Sequence, residues 1–228
     1  MLNLASALAS TTIRYYPVLT IHNFHKAYNG HTILRLDNFT IDSGIHWIRG
    51  HNGSGKSTFL KALAGILSFE GDVTAHPNIS IKKNPTAYRS AVNFAEAEPV
   101  FPDFLTGTEL IQLFKSAKNA PARQEEQYVE SMGMTAYLPD RISTYSSGML
   151  KKLSLVLAFL GRPACILLDE PLTTLDADSL PILYAWIADQ HRLAGTTFLL
   201  SSHQAFEGEL LPDVREILVA QATLQHIG

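Results

Sequence analysis

The first forty residues of the chain alternate between apolar and polar positions. Residues 19–24 read Leu-Thr-Ile-His-Asn-Phe, which is typical of a half-buried strand, and residues 33–41 alternate in the same way. Asn29-Gly30 lies between them and is a strong signal for a tight turn. The pattern therefore predicts an antiparallel β layer, preceded by an N-terminal extension over residues 1–18.

A short apolar strand is predicted next, over residues 45–48, and it runs into a glycine-rich loop. Good helix formers follow at helical spacing over residues 57–67. Further β-like segments occur around Val73, over 79–81 and over 92–94. A strand, a glycine loop and a helix in immediate succession predict a ligand-binding turn.

The middle of the chain has helical periodicity. Two amphipathic helices are predicted over 108–118 and 121–132, the first capped by Thr106 or Thr108, and a third over 147–160. Strand and helix then alternate again, because residues 164–168 form an unbroken apolar run of the kind found in parallel strands covered on both faces. This alternation predicts an α/β core with a parallel sheet, to which the β start and the helical middle are additions.

A helix over 179–193, ended by Gly195, and strands over 197–201 and 216–219 complete the predicted core. The length of 228 residues allows one large domain with an inserted lobe. A formal net charge of −3 argues against a strongly basic nucleic-acid binder. The single cysteine, Cys165, excludes an intrachain disulfide, and its place in an apolar run favours a buried residue over a reactive thiol. No run of about 18 apolar residues occurs, so the sequence predicts no membrane-spanning helix.

Residues 50–57 read Gly-His-Asn-Gly-Ser-Gly-Lys-Ser and fit the phosphate-binding loop pattern G-x-x-x-x-G-K-[ST]. Glycines let backbone N–H groups approach phosphate oxygens, and the following helix adds its positive N-terminal dipole. Lys56 would supply a cation to the β and γ phosphates and the Ser57 hydroxyl a magnesium ligand. A chance glycine turn is the alternative. The predicted phosphate-binding residues are Gly50, His51, Asn52, Gly53, Ser54, Gly55, Lys56, Ser57 and Thr58.

Asp169 and Glu170 directly follow the apolar run, where ligands of open α/β sheets bind. Beside a phosphate-binding loop, Asp169 would anchor Mg²⁺, and Glu170 would polarise a water for attack on the γ-phosphate. An ordinary strand-to-turn boundary is the alternative interpretation. The loop and the acid pair together predict an ATP-hydrolysing enzyme.

Over about residues 19–220 the chain resembles the nucleotide-binding subunits of ATP-binding-cassette (ABC) transporters. The segment 145–149, Tyr-Ser-Ser-Gly-Met, is similar to the family signature, usually Leu-Ser-Gly-Gly-Gln, with serine and methionine as departures. The resemblance implies that Ser146 and Gly148 contact the γ-phosphate bound by the opposite subunit. It also implies that Asp176 lies in a loop that touches the partner.

The resemblance extends to three further positions. His203 is similar to the switch histidine that contacts the γ-phosphate, although a surface histidine is the alternative. Tyr28 is similar to the aromatic residue that stacks on adenine, with a packed hairpin tyrosine as the alternative. Glu96 stands where the family has a glutamine near the metal, and Ala97 or Glu98 would take that place in a shifted register.

The fold class implied is α/β: a P-loop NTPase core with a parallel sheet, an N-terminal antiparallel β subdomain and an inserted α-helical subdomain. Within a single domain over 19–220, residues 19–97 would hold the β subdomain and the P-loop part of the core. Residues 98–155 would form the helical subdomain, 156–220 the rest of the core, and 221–228 a C-terminal tail.

The implied function is that of an ATP- and Mg²⁺-dependent subunit that dimerises around ATP and drives a separate membrane-spanning permease. The second nucleotide-binding subunit would be an identical or a related chain, and the location would be peripheral, on the cytoplasmic face of the inner membrane. No nucleic-acid partner is expected. A surface around Phe101, Phe104 and Leu105 is a candidate docking groove, with core burial as the alternative.

Three other functions are alternatives. A soluble ABC ATPase acting on ribosomes or nucleic acid would need coiled coils or a second cassette, and the sequence has neither. A small-molecule kinase would need an arginine-rich lid, but the segment 101–145 has only Arg123 and Arg141. A regulatory subunit that binds ATP with little turnover is favoured only by Glu96.

Overall fold

The computed structural model describes residues 17–202, 211 and 213–227. Almost all of the predicted N-terminal extension, and His203, lie outside the described residues. None of the described helices is long and apolar enough to cross a membrane. The described residues form two sheets, one of four strands and one of six.

The four-stranded sheet is the predicted antiparallel layer. Strands β1 (Pro17–Tyr28) and β2 (His31–Asp42) pair antiparallel along their whole length. Asn29 and Gly30 join them with φ of 50° and 80°, the conformation that a two-residue hairpin turn requires. The sheet continues with β4 (Glu70–Ala75) and β5 (Ile79–Ser80), in the order β2-β1-β4-β5.

The six-stranded sheet forms the α/β core, in the order β10-β9-β3-β8-β7-β6. All neighbours are parallel except β9 and β10, which form an antiparallel hairpin. These assignments confirm the predicted fold class. The strands are β3 (Ile45–Arg49), β6 (Val92–Ala95), β7 (Cys165–Leu168), β8 (Thr197–Ser201), β9 (Val214–Ala220) and β10 (Thr223–Ile227).

Within the described ranges, six α-helices and one 3₁₀ turn surround the sheets. The predicted helices in the middle of the chain are present, and the Thr106 side chain caps the first of them. The helices are α1 (Lys56–Leu63), α2 (Pro85–Ala91), α3 (Gly107–Ala117), α4 (Gln124–Ser131), α5 (Ser147–Phe159) and α6 (Ser179–Ala194), with the 3₁₀ turn at Ile142–Thr144.

The main differences between the structure and the sequence expectations lie at three places. Helix α1 ends at Leu63 rather than at 67, because Gly65 adopts a left-handed conformation with φ of 74°. Helix α2 was not expected. The expected tail over 221–228 contains β10, since Gln221 and Ala222 adopt positive φ and turn the chain back onto β9 without a glycine.

Two hydrophobic cores cover the two faces of the parallel sheet. On β7, Ile166 and Leu168 point into the core shared with α3 to α6. Cys165 and Leu167 point into the core shared with α1 and the antiparallel layer. Because every residue of β7 is buried on one face or the other, the strand is rigidly held, and the residue that follows it is placed precisely.

Candidate functional site

The glycine-rich loop leaves the end of β3 and enters α1 with its backbone in a conformation that side chains would block. A Cβ at Gly50 would lie 2.7 Å from the Val219 carbonyl oxygen. Gly55 has φ of 106°, and a Cβ there would lie 2.9 Å from Ile33. Both glycines are therefore required by the path of the chain. The predicted strand, loop and helix follow one another as expected.

Lys56 is folded back over this loop. Its Nζ donates hydrogen bonds to the carbonyl oxygens of Gly50, at 2.8 Å, and His51, at 3.3 Å. Burial lowers the pKa of Lys56, and the nearby carboxylates of Glu170 and Asp169 oppose that shift. The side chain thus carries its ammonium group to the middle of the loop, on the side of the acid pair.

The acid pair follows β7 at the carboxyl end of the sheet. Asp169 is only 1% exposed, and its Oδ1 accepts hydrogen bonds from Ser57 Oγ, at 3.0 Å, and Ser201 Oγ, at 2.6 Å. The Glu170 N–H donates to the same Ser201 hydroxyl at 2.9 Å, in a left-handed conformation with φ of 45°. Ser201, at the end of β8, thus links both acids, a role that no sequence pattern indicated.

The second carboxylate oxygen of Asp169 provides a test of whether a divalent cation fits. Asp169 Oδ2 is buried and has no hydrogen-bond partner among the residues that the structure describes. A buried carboxylate oxygen without a donor is costly unless a ligand satisfies it. The described part of the chain contains no group of three or more His, Cys, Asp or Glu able to hold a metal ion. The Ser57 hydroxyl and Asp169 fit the sparse donor set that Mg²⁺ uses beside phosphates.

One cleft of about 390 Å³ joins the loop to Tyr28 and Glu170. Tyr28 ends β1, and 44% of its surface is exposed. The Lys26 ammonium lies 4.6 Å from the centre of the Tyr28 ring and donates to the Ser68 carbonyl oxygen, so one face of the ring is taken. The cleft is lined by Tyr28, Ile33, Asn52, Gly53, Ser54, Gly55, Lys56, Ser57, Thr58 and Glu170.

The segment 145–149 opens helix α5. Tyr145 is buried and anchors the segment by donating its hydroxyl to the carbonyl oxygens of Tyr137 and Leu138. Ser146 is exposed and caps the helix, since its Oγ accepts from the Met149 N–H at 3.3 Å. The start of α5 is therefore anchored by Tyr145, while Ser146 and Ser147 are exposed to solvent.

The loop that carries Asp176 lies against this helix. A Cβ at Gly148 would come within 3.1 Å of the Thr174 carbonyl oxygen, so the glycine allows the close approach. Lys152 forms an ion pair with Asp176 at 2.8 Å, and this contact lowers the pKa of Asp176 to about 2. The structure therefore brings Asp176 beside the signature-like segment of its own chain.

Glu96 immediately follows β6 and lies next to the acid pair in the sheet, because its neighbour Ala95 is in register with Leu168. Its carboxylate forms an ion pair with Lys61 of α1. Its carbonyl oxygen accepts from Lys151, a fully buried residue of α5 that also donates to the carbonyl oxygens of Ala97 and Asp169. Burial lowers the pKa of Lys151 to about 8.

Lys61 and Lys151 were also missed by the sequence analysis. Lys61 stands four residues after Ser57, so its place on the same face of α1 was readable from the sequence. Lys151 follows Met149 by two residues, and it is one of two consecutive lysines in a mostly apolar helix, which was the available indication.

The surface around Phe101, Phe104 and Leu105 is only partly exposed. Phe104 is 72% exposed and the neighbouring Val100 is 88% exposed. Phe101 and Leu105 are half-buried and pack against the core on the helical side. Core burial therefore holds for Phe101 and Leu105, whereas Phe104 stays exposed.

Comparisons with known proteins identify the family of the chain. The sequence profile of the ABC transporter family matches residues 34–173. The chain is 30% identical over 215 residues to YdbJ of Bacillus subtilis, an uncharacterised ABC transporter ATP-binding protein, covering 92% of this chain and 68% of YdbJ. It is 30% identical to human ABCA4, a retinal-specific phospholipid-transporting ATPase, of which it covers 10%.

Solved structures lead to the same fold. An ATP-binding subunit of an ABC transporter superimposes with a TM-score of 0.81 at 20% identity, over 92% of this chain and 90% of that subunit. The family profile spans the glycine-rich loop, the segment 145–149 and the acid pair. The chain therefore belongs to the ABC transporter family, as one of its ATP-binding, ATP-hydrolysing subunits.

Proposed function

We propose that this subunit hydrolyses ATP at the cleft between the loop 50–57 and the acid pair and that hydrolysis powers a separate membrane-spanning permease. The observation that carries the proposal is the contact between Ser57 and Asp169, which joins the phosphate-binding loop to the carboxyl end of β7. That contact brings the two motifs, 112 residues apart in the sequence, to one point.

ATP binding would use groups already arranged in the cleft. The N–H groups of the loop and the N-terminus of α1 face the phosphates, and Lys56 exchanges its carbonyl contacts for phosphate oxygens. Tyr28 offers its open ring face to adenine, while Lys26 holds the other face. When bound, Mg²⁺ neutralises phosphate charge; Ser57 and Asp169, with Glu96 as a further candidate, are the residues to hold it.

Glu170 is the proposed general base. Glu170 follows the buried Asp169, and its backbone N–H is held by the Ser201 hydroxyl. The Glu170 carboxylate therefore enters the cleft from the end of the sheet. A carboxylate there can accept a proton from the attacking water as the bond to the γ-phosphate forms in line. His203 is proposed to position that water; it lies outside the described residues.

The active form is proposed to be a head-to-tail dimer. Ser146 is exposed and Gly148 partly exposed at a helix N-terminus, which is suited to an anion. The cleft of the same chain, however, is lined by none of the residues of α5. The second half of each site would come from another subunit, with Asp176 at the contact. ATP then closes the dimer, and hydrolysis with phosphate release reopens it.

Coupling to a permease is proposed at the exposed residues Val100 and Phe104, which follow Glu96 after a few residues. A movement of the end of β6 at the nucleotide would be passed along the chain from Glu96 to Val100 and Phe104. The subunit would work at the cytoplasmic face of the inner membrane. The name of human ABCA4, a phospholipid-transporting ATPase, supports the coupling of ATP hydrolysis to transport.

Glu170→Gln tests the proposal. The variant should bind ATP as the parent does, accumulate as an ATP-bound dimer, and hydrolyse ATP at least about 100-fold more slowly. Phosphate release and size-exclusion chromatography with ATP measure these effects, and Glu130→Gln, an exposed change on α4, is the control. Hydrolysis by Glu170→Gln at the parent's rate would remove Glu170 from the mechanism.

A further inference from the structure

One face of helix α1 contacts two carboxylates at the end of the parallel sheet. The Ser57 hydroxyl donates to Asp169, and Lys61, one helical turn later, pairs with Glu96. Residues four apart lie on the same side of a helix. The helix that follows the phosphate-binding loop is therefore joined by side chains to the ends of both β6 and β7.

The backbone of Glu96 is fixed independently of this ion pair. The Asp169 N–H donates to the Ala95 carbonyl oxygen at 2.9 Å, which keeps β6 and β7 in register up to their last residues. The buried Lys151 ammonium then donates to the carbonyl oxygens of Glu96 and Asp169, at 3.0 and 3.1 Å. Because the backbone is held, only the side chain of Glu96 can change position, and its carboxylate is paired with the Lys61 ammonium.

We propose that Lys61 is a positioning residue that holds the Glu96 carboxylate and thereby sets how much negative charge reaches the divalent cation beside Asp169. The inference rests on the proposed function, because it assumes that the cleft takes a nucleotide with its cation. It concerns a residue outside both the phosphate-binding loop and the acid pair.

The physical reason is the spacing of parallel strands. Adjacent strands lie about 4.8 Å apart, so residues that follow β6 and β7 in register are close neighbours. The buried Asp169 Oδ2, which has no hydrogen-bond partner among the described residues, marks where a cation would be held. A Glu96 side chain without Lys61 is a second carboxylate free to turn toward that cation, whereas the ion pair keeps it on α1.

The ion pair is only half-exposed, with side-chain exposures of 30% for Lys61 and 34% for Glu96. Its removal should therefore leave the chain folded and change the cation site by a modest factor. Removing the Lys61 charge acts on a nearby cation whatever residue stands at 96. Releasing the carboxylate acts only when residue 96 is a glutamate, and this difference separates positioning from simple charge.

The experiment is a double-mutant cycle on the full chain loaded with ADP, using Mn²⁺ as the cation and electron paramagnetic resonance to measure free Mn²⁺. Lys61→Gln should tighten Mn²⁺ binding about two- to fivefold more in the parent than in the Glu96→Gln chain. Lys61→Arg, which keeps the ion pair, should retain the parent's affinity. Equal shifts from Lys61→Gln in both backgrounds, or no shift in either, would overturn the proposal.

The control is Lys115→Gln. Lys115 forms an ion pair with Glu125 in the helical segment, away from the cleft, and its loss should leave Mn²⁺ affinity unchanged. A parent chain that binds no ADP would remove the proposed function and this inference with it. A parent chain that binds ADP and Mn²⁺, with additive effects of the two substitutions, would remove the inference alone.

Discussion

The phosphate-binding loop with its acid pair and the signature-like segment 145–149 are held in different ways. In the first region Lys56 and Asp169 are almost fully buried, and hydrogen bonds from Ser57 and Ser201 converge on one carboxylate oxygen. In the second region the exposed Ser146 makes a capping hydrogen bond to its own helix. The first is fixed by contacts across the fold, and the second by a local cap.

The difference teaches how work is divided within the chain. A region that must hold charge in a fixed arrangement is built where two cores meet at the end of a sheet, because burial and crossing contacts limit its movement. A region that must meet another surface is built on a helix end, where a cap suffices and the polar groups stay available. The predictions below test this contrast.

The largest expected effect tests the burial beneath the loop. His46 of β3 is fully buried, its Nε2 donates to the Asp42 carbonyl oxygen, and burial lowers its pKa from 6.5 to about 4. The unfolded chain therefore takes up a proton first as the pH falls. Stability present above about pH 6.5 should be lost toward pH 4, by about 3 kcal/mol from this group.

His46→Gln keeps a donor to the Asp42 carbonyl oxygen but cannot take up the proton. Urea unfolding between pH 7 and pH 4 should show a smaller loss of stability in this variant than in the parent. His31→Gln, on the exposed edge of β2, is the control and should follow the parent. If the unfolding free energy of His46→Gln falls with pH as much as that of the parent, burial of His46 is not the cause of the loss.

The next effect concerns the loop itself. Lys56→Ala removes the ammonium group, and a lost charged hydrogen bond costs about 1.5–3 kcal/mol. ATP affinity should fall about 10- to 100-fold, as measured by fluorescence titration with a labelled nucleotide. Lys83→Ala, an exposed residue before α2, is the matched control. Unchanged affinity in Lys56→Ala would contradict the assignment of the loop.

The smallest effect separates a cap from a binding residue. Ser146→Ala should cost about 1 kcal/mol in unfolding free energy and also reduce ATP hydrolysis, while binding of ATP to the single chain stays unchanged. Thr106→Ala removes the equivalent cap of α3 and should cost about as much stability without affecting hydrolysis. Equal hydrolysis in the two variants would make Ser146 a cap alone.

Much of the fold was predictable because its pattern is local. The alternation over β1 and β2, the turn at Asn29-Gly30 and the apolar run of β7 each follow from neighbouring residues, and the structure confirms them. Helix α2 and strand β10 were not expected. Helix α2 has only seven residues, too few for a helical period to show, and the turn before β10 is made by Gln221 and Ala222 without a glycine, so no turn signal marks its hairpin with β9.

The sequence by itself determined the glycine loop, the lysine and the acid pair, because their spacing reflects what a phosphate and its counter-ion require of a backbone. Only the tertiary structure decided that Ser201 joins both acids, that Lys151 ties the ends of β6 and β7, and that Lys61 pairs with Glu96. Those contacts span from 18 to 55 residues of sequence, so no local pattern records them. They exist because parallel strands bring their carboxyl ends to one edge, where charged groups must find partners.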